Sequence, residues 1–358
     1  MALQSIKITD FRCLQSEQAA FHPVANLIVG PNAAGKTSLL EAVAYLGRGR
    51  SFRGASIDKL VRHGEREFVL FGVVDSGGRE HKLGVRNSRN GLELSVDGEA
   101  GGGLASLAAA LPLQIIDPDV HNLVAGGPDE RRRYLDWLGF HVEHRYLDAW
   151  RSYSRALRQR NAALKEAPRR ETLGPWNAAI AEAGEALDQI RAECFELLEP
   201  GLTALAGELV QSDVAFVYRR GWKEDLSLAE ILTENQDRDL SMGTTTAGPH
   251  RADIVLKYDE RQARKLVSRG QQKLLSCAMI LGGVEVVQEI LGAPLLLLLD
   301  DPAAELDRDS LGRLMGAVEG LGSQVIATAL SEDLGLFSTP PRVFHVEQGR
   351  LASAQEAV

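Results

Sequence analysis

The chain has 358 residues, 44% of them apolar and 25% charged, with a formal net charge of −9 and a pI near 5.5. That profile fits one large or two modest globular domains and excludes a wholly basic nucleic-acid coat protein, although an acidic body can still carry a local basic patch. Cys13, Cys194 and Cys277 have no metal or disulfide spacing, residues 1–7 lack a signal-peptide core, and the longest apolar run, Ala293 to Leu299, falls far short of the ~20 residues of a membrane span. These features predict a cytoplasmic protein in a reducing compartment, with no membrane partner.

Leu3 to Ile8 alternates apolar and polar residues, the pattern of a half-exposed strand, and Asp10-Phe11-Arg12 is expected to turn the chain. Ala25 to Val29 is a short apolar run between Pro23 and Gly30, which predicts a buried strand. It leads into Gly30-Pro31-Asn32-Ala33-Ala34-Gly35-Lys36-Thr37, a match to G-x-x-x-x-G-K-[ST], and then into helix formers from Ser38 to Leu46. Strand, glycine loop and helix start are the three parts of a phosphate cradle. Glycines let backbone N–H groups converge on one anion, and the helix start adds unpaired donors and partial positive charge. Lys36 is expected to reach the β- and γ-phosphates of a nucleotide. The Thr37 hydroxyl is expected to hold hydrated Mg²⁺, which prefers hard oxygen ligands.

Gly49 to Gly54 is a basic loop, readable either as a solvated turn or as a contact to phosphate or nucleic acid. Phe68 to Asp75, Lys82 to Arg86 and Leu92 to Val96 are β-rich runs separated by Ser76-Gly77-Gly78 and Asn90-Gly91, an antiparallel meander. Leu113 to Ile116 reads as another buried strand, ending at Asp117-Pro118-Asp119. Near Ala125 to Pro128 the character changes. Asp129 to about Gly207 is rich in Ala, Leu, Glu and Arg and is interrupted by Pro168 and Gly174-Pro175, which predicts a lobe of three or four short helices without long coiled coils.

Arg131-Arg132-Arg133 opens that lobe. Arg151, Arg155 and Arg158 then fall at i, i+4, i+7, on one helix face, with Arg145, Arg160, Lys165, Arg169 and Arg170 nearby. Such a stripe is either a footprint for a phosphate backbone or a solvated face with partners such as Glu143 and Glu166. Val214 to Tyr218 returns to strand character. Thr244 to Arg251 is a polar loop in which His250, taken alone, reads as a histidine bonded to backbone. Ala252 to Tyr258 and Ala263 to Val267 flank Asp259-Glu260 as a hairpin. Ser268 is a good N-cap for a helix reaching about Leu291. Five leucines, Leu295 to Leu299, predict a strand buried on both faces, with Asp300 and Asp301 emerging at the carboxyl edge of a sheet, where open α/β sheets bind ligands. Asp300 is placed to hold Mg²⁺ through water, and Asp301 to orient or deprotonate an attacking water. A helix follows from Ser310, then strands at Gln324 to Thr328 and Val343 to Val346. Residues from Leu351 onward are expected to fray.

Taken together, these motifs resemble the RecF family of bacterial DNA replication and repair proteins, within the ABC and SMC ATPase superfamily. The resemblance runs over essentially the whole chain. It rests on the phosphate loop from Gly30 to Thr37, Ser51-Phe52-Arg53, the stretch from Gly127 to Asp136, Gly248-Pro249-His250-Arg251-Ala252-Asp253, Ser268-Arg269-Gly270-Gln271 in the place of L-S-G-G-Q, the Leu295 to Asp301 strand, and Glu305-Leu306-Asp307 as D-loop. Two residues depart from the family pattern. Ala33 stands where an inner glycine is usual, and its methyl is expected to crowd the loop. Asp301 stands where transporters carry Glu.

The resemblance implies an ABC-type α/β P-loop head with an antiparallel meander and an inserted α-helical lobe. The expected boundaries are 1–128 and 211–358 for the ATPase lobe and 129–210 for the helices. It implies ATP and Mg²⁺ as cofactors, a weak DNA-stimulated ATPase, and an ATP-dependent homodimer. In that dimer the loop residues Gly30 to Ser38 of one copy (Ala34 and Gly35 among them) and the Ser268 to Gln271 signature of the other sandwich the nucleotide, with Lys36, Asp300 and Asp301 as the catalytic set. It further implies binding to single-stranded, duplex or gapped DNA, with Arg131, Arg132, Arg151, Arg155 and Arg158 as candidate contacts, recombinase loading with RecR and RecO, and a part in the SOS response. The alternative is the ATPase subunit of an ABC transporter, against which stand Arg269, Asp301 and the helical insert. A longer-armed SMC protein lacks room for its arms in this chain. A GTPase or kinase would leave the signature unexplained and lacks an N-K-x-D motif.

Overall fold

The computed structural model describes residues 1–101, 103–166, 173–258, 261–262, 267–332 and 335–352. The chain forms two compact units, one of residues 1–120 with 291–358, the other of residues 121–290. Residues 211–290, which the sequence assigned with the ATPase lobe, cluster with the helices.

In the first unit the elements are β1 (Ala2–Phe11), β2 (Leu14–Ala20), β3 (Ala25–Val29), α1 (Lys36–Arg48), α2 (Ile57–Leu60), β4 (Glu67–Ser76), β5 (Arg79–Ser88), β6 (Gly91–Val96), β7 (Glu99–Ala100), α3 (Leu104–Ala110) and β8 (Leu113–Ile116). The unit resumes with β12 (Leu296–Leu299), α11 (Arg308–Gly320), β13 (Gln324–Ala329), β14 (Arg342–Glu347) and β15 (Arg350–Ala352). Two six-stranded sheets result. One is an antiparallel meander in the order β2-β1-β4-β5-β6-β7; the other runs β15-β14-β3-β13-β12-β8, parallel except for β15.

Strand β2 was not foreseen. Its sequence, LQSEQAA, is mostly polar, and it is recruited by a tight turn in which Phe11 pairs with Leu14. The chain therefore reverses at Arg12-Cys13, with Asp10 and Arg12 at φ of 53° and 56°, rather than turning away at residues 10–12. Leu351, expected to fray, sits in β15, where its N–H donates to Glu17 at 2.9 Å.

Helix α1 explains why the unit has one core. Residues Leu39 to Gly47 are all buried, and their apolar side chains join those of both sheets in a single cluster. Phe11, Tyr45 and Phe68, from β1, α1 and β4, pack edge to face, with ring centroids 4.9–6.1 Å apart. Gly47 lets the helix approach β8, because a Cβ there would lie 2.7 Å from the Leu113 side chain. Glu41 is the exception on this apolar helix. It is fully buried, yet bound by Arg12 through two hydrogen bonds of 2.7 and 2.9 Å and by the Ser51 hydroxyl.

The second unit contains α4 (Asn122–Ala125), α5 (Pro128–Val142), α6 (Tyr146–Glu166), α7 (Gly174–Val210), β9 (Val214–Arg219), α8 (Leu228–Glu234), α9 (Gln236–Met242), β10 (Asp253–Tyr258), β11 (Arg261–Gln262) and α10 (Arg269–Leu291). Its sheet runs β11-β10-β9. The prediction of short helices fails at α7, which has 37 residues and continues through Pro200. Ile180, Leu187, Cys194, Leu198, Leu202 and Leu209 repeat at helical spacing and are buried, so packing along the helix outweighs one lost backbone hydrogen bond. Helix α10 is long and apolar enough to cross a bilayer by length and composition; 67% of its most apolar window is buried inside the protein. The Asp259-Glu260 turn, most of the strand foreseen at Ala263 to Val267, and Pro168, Arg169 and Arg170 lie outside the described residues.

Candidate nucleotide site

The parallel sheet positions the candidate chemistry. Leu299 pairs with Ile116 on one side and Ala327 on the other, so Asp300, Asp117 and Thr328 stand side by side at the carboxyl ends of β12, β8 and β13. Strand β3 ends one place further along the same edge, where Val29 pairs with Ala329, and hands over to the glycine loop. Four buried strands thus deliver the loop and the acids to one edge, because the parallel register brings their carboxyl ends level to within about one residue.

Gly35 adopts φ 116° as the N-cap of α1 and Leu39 N donates to its carbonyl at 2.9 Å, so the loop runs straight into the helix. Gly30 is confined from the other side, since a Cβ there would lie 2.3 Å from the Val346 carbonyl oxygen. The C-terminal hairpin also holds the loop through Gly349, whose N–H donates to the Ala34 carbonyl at 2.7 Å. Lys36 Nζ donates to the carbonyls of Gly30 and Pro31 at 2.7 and 3.0 Å, curling over the loop. Burial holds its pKa below the ordinary lysine value, opposed by Asp301 and Asp300.

Asp300 is 7% exposed. Its Oδ1 accepts from Thr37 Oγ1 at 3.0 Å and from Thr328 Oγ1 at 2.8 Å, while Thr328 Oγ1 accepts from the Asp301 N–H at 2.9 Å. Burial raises the Asp300 pKa above the usual carboxylate range, and the two hydroxyl donors act against that. A buried carboxylate beside a hydroxyl and a second acid is a set of hard oxygen donors, which suits a dication carrying phosphate oxygens. Asp301 sits at φ 49°, half-buried.

Other predicted residues are placed differently. Ser268 and Gln271 form a reciprocal cap at the exposed start of α10 in the second unit: Ser268 Oγ accepts from Gln271 N at 3.3 Å and Gln271 Oε1 accepts from Ser268 N at 2.9 Å. Arg269 is exposed and Gly270 half-buried. Asp307 caps α11 through Ser310, 2.9 Å to its N–H and 2.8 Å to its hydroxyl.

Arg131 is 6% exposed and committed to Asp253 at 2.7 Å and to the carbonyls of Leu123 and Gly126, so it is not an exposed DNA contact. Arg132 is held by Asp129 and by the Ala252 carbonyl at 2.7 Å. Arg160, read as part of the basic stripe, is fully buried against Asp239 and Thr245, both at 2.7 Å, and Asn177 at 2.8 Å. Arg145 pairs with Glu143. Arg151, Arg155 and Arg158 are exposed on α6, and Arg151 lies 3.7 Å from Asp148.

His250 Nε2 donates to the Thr245 carbonyl at 2.9 Å and its Nδ1 accepts from Tyr153 at 2.6 Å, as expected of a loop histidine bonded to backbone. The arginines of the 127–136 stretch therefore grip the 248–253 loop, and two motifs far apart in sequence form one polar junction. Sequence reasoning missed Glu41 with Arg12, for which the lone acid in an apolar helix was the available signal. It also missed Thr328 as a partner of Asp300, for which only pairing between strands gives a signal.

The folded edge and loop define an ABC-type P-loop ATPase head. The family model described as "RecF/RecN/SMC N terminal domain" matches residues 2–351. The head domain of an SMC protein bound to the C-winged helix domain of ScpA has the same fold, with a TM-score of 0.61 at 15% identity over 99% of this chain and 98% of that one. The chain belongs to the RecF family. It is 36% identical to the DNA replication and repair protein RecF of Erwinia tasmaniensis over 99% of this chain and all of that protein, and 40% identical to RecF of Thioalkalivibrio sulfidiphilus over 98% and 99%. A solved structure of the recombination mediator protein RecF with ATP, in the RecFOR pathway, matches with a TM-score of 0.88 and 26% identity over 98% of this chain and 97% of that one.

Proposed function

We propose that this chain is an ATP-binding protein of DNA replication and recombinational repair, working as an ATP-gated dimer on DNA. The observation that carries the reading is the Thr37–Asp300–Thr328 cluster beside the phosphate loop, with Lys36 within reach of the same edge. The loop from Gly30 to Ser38 would hold the phosphates. Thr37 and Asp300 would hold Mg²⁺, which supplies neutralisation of charge on the phosphate oxygens. Asp301 would orient the attacking water, and its short side chain fits a slow ATPase; stimulation by DNA would go with the DNA-binding reading.

The Ser268 to Gln271 signature would meet the nucleotide of a second copy, for which the partial positive charge of its exposed helix start is suited. Asp307, in the D-loop position, would also take part in dimer contact. Arg151, Arg155 and Arg158, exposed along one face of α6, would contact DNA phosphates. RecR and RecO would be partners in loading recombinase at single-stranded, duplex or gapped sites, with a consequent role in the SOS response. Localisation would be cytoplasmic.

The test is DNA binding with and without ATP and Mg²⁺, on single-strand, duplex and gapped substrates, with oligomeric state measured alongside. The expected result is a dimer with ATP and tighter DNA binding in that state. A chain that stays monomeric in saturating ATP and Mg²⁺, with and without DNA, would refute the proposal.

A further inference from the structure

The Ser51 hydroxyl ties the basic loop after α1 back to the helix that begins at the phosphate loop. Glu41 lies at i+4 from Thr37 on α1, one turn further along the same helix face. It is fully buried, and Arg12 already neutralises it through two hydrogen bonds. Ser51 Oγ nevertheless donates to Glu41 Oε1 at 2.5 Å. The same oxygen accepts from the N–H groups of Arg53 and Ala55, both at 3.1 Å. With its proton committed to the carboxylate, the hydroxyl turns its lone pairs to those two N–H groups, so one side chain sets the backbone of residues 51–55. Ser51 is only half-buried, so no desolvation cost demands the bond.

The side chain this loop carries towards the site is Arg53. It is exposed and has no ion-pair partner among the described residues. It acts on the acid edge all the same: burial raises the Asp300 pKa, and the Thr328 hydroxyl, the Thr37 hydroxyl and the Arg53 charge act against that. At this edge Thr37 and Asp300 would hold a metal with its triphosphate, and an unpaired guanidinium beside them suits phosphate oxygens, which its planar fork can take in pairs. We infer that Ser51, oriented by Glu41, is a positioning residue that presents Arg53 to the phosphates of the bound nucleotide. The inference rests on the nucleotide-binding reading above and adds to it a cation from outside the phosphate loop. A solvated turn at residues 49–54 would leave the Ser51–Glu41 bond without consequence for the nucleotide.

The test is titration of the full chain with a fluorescent ATP analogue in Mg²⁺, beside urea unfolding without nucleotide. It compares wild type, Ser51→Ala, Ser51→Thr, Arg53→Ala and the double variant Ser51→Ala/Arg53→Ala. Arg53→Ala is expected to lose about tenfold in affinity, the order of one charge-assisted hydrogen bond, and Ser51→Ala about fivefold. The double variant should lose no more than Arg53→Ala alone, because Ser51 acts through Arg53. Ser51→Thr keeps the hydroxyl and should bind within about twofold of wild type. A merely structural Ser51 would lower the urea midpoint and leave the affinity of the folded chain unchanged. That outcome, or losses that add in the double variant, would overturn the inference. Wild-type affinity in Arg53→Ala would overturn it as well and leave the nucleotide reading standing. A wild type that binds no ATP analogue would remove that reading itself.

Discussion

Ala33 carries backbone strain in the phosphate loop. It adopts φ 63°, a left-handed conformation that costs an L-residue about 1–2 kcal/mol, and its side chain is exposed. The sequence predicted that its methyl would crowd the loop; the departure from glycine registers in the backbone instead. Ala33→Gly should relieve the strain while adding about 0.5–1 kcal/mol of unfolded-chain entropy, for a net gain of up to about 1 kcal/mol by urea denaturation. A clear loss of stability would mean that the methyl makes a favourable contact. His250 gives the pH counterpart. Burial lowers its pKa to about 4, so the folded state keeps it neutral where an unfolded histidine would begin to protonate. Its contribution is therefore fully present above pH ~6.5 and is lost as pH falls towards 4. Wild type should lose on the order of 1–3 kcal/mol more than His250→Gln between pH 7.5 and pH 4.5, read from urea midpoints at each pH.

Among the elements, the C-terminal hairpin has the most direct hold on the loop. Its turn residue Gly349 has φ 78°, and a Cβ there would lie 2.3 Å from the Cys13 carbonyl oxygen while its N–H holds Ala34. Gly349→Val should cost at least about 2 kcal/mol in thermal or urea unfolding and weaken nucleotide binding beyond what that loss alone explains. Wild-type stability in this variant would show that the hairpin yields freely. The five parallel strands of the second sheet were readable because each carries a short, mostly apolar run near turn residues; its antiparallel edge strand β15, expected to fray, was not. Strand β2 and the length of α7 were not. A polar edge strand takes its conformation from its neighbour, and a proline inside a long helix is tolerated only when a buried face holds both halves.

For the molecule as a whole, the loop with its acids and the signature belong to separate compact units, and the proposal that they meet across two copies has a direct test. Lys36→Arg should keep the fold and block ATP-driven dimerisation. Ser268→Arg should keep ATP binding, within about twofold of wild type, and abolish dimers, because the new side chain fills the exposed helix start. Light scattering with and without ATP, beside nucleotide titration, separates the two. Loss of ATP binding in monomeric Ser268→Arg would show that the signature serves its own chain.

The sequence by itself determined the family, the phosphate loop between strand and helix, and the acids at the end of a leucine strand. Those signals are local: a loop that cradles phosphate needs glycines at fixed spacing, and a strand buried on both faces needs an unbroken apolar run. Only the tertiary structure decided which charged side chains remain available. Arg131 and Arg160 look like Arg155 and Arg158 in sequence, yet the first two are consumed by Asp253 and Asp239, residues more than seventy positions away. It likewise decided that Thr328 and Asp117 flank Asp300, because strand register is set by the packing of whole sheets rather than by any neighbour along the chain.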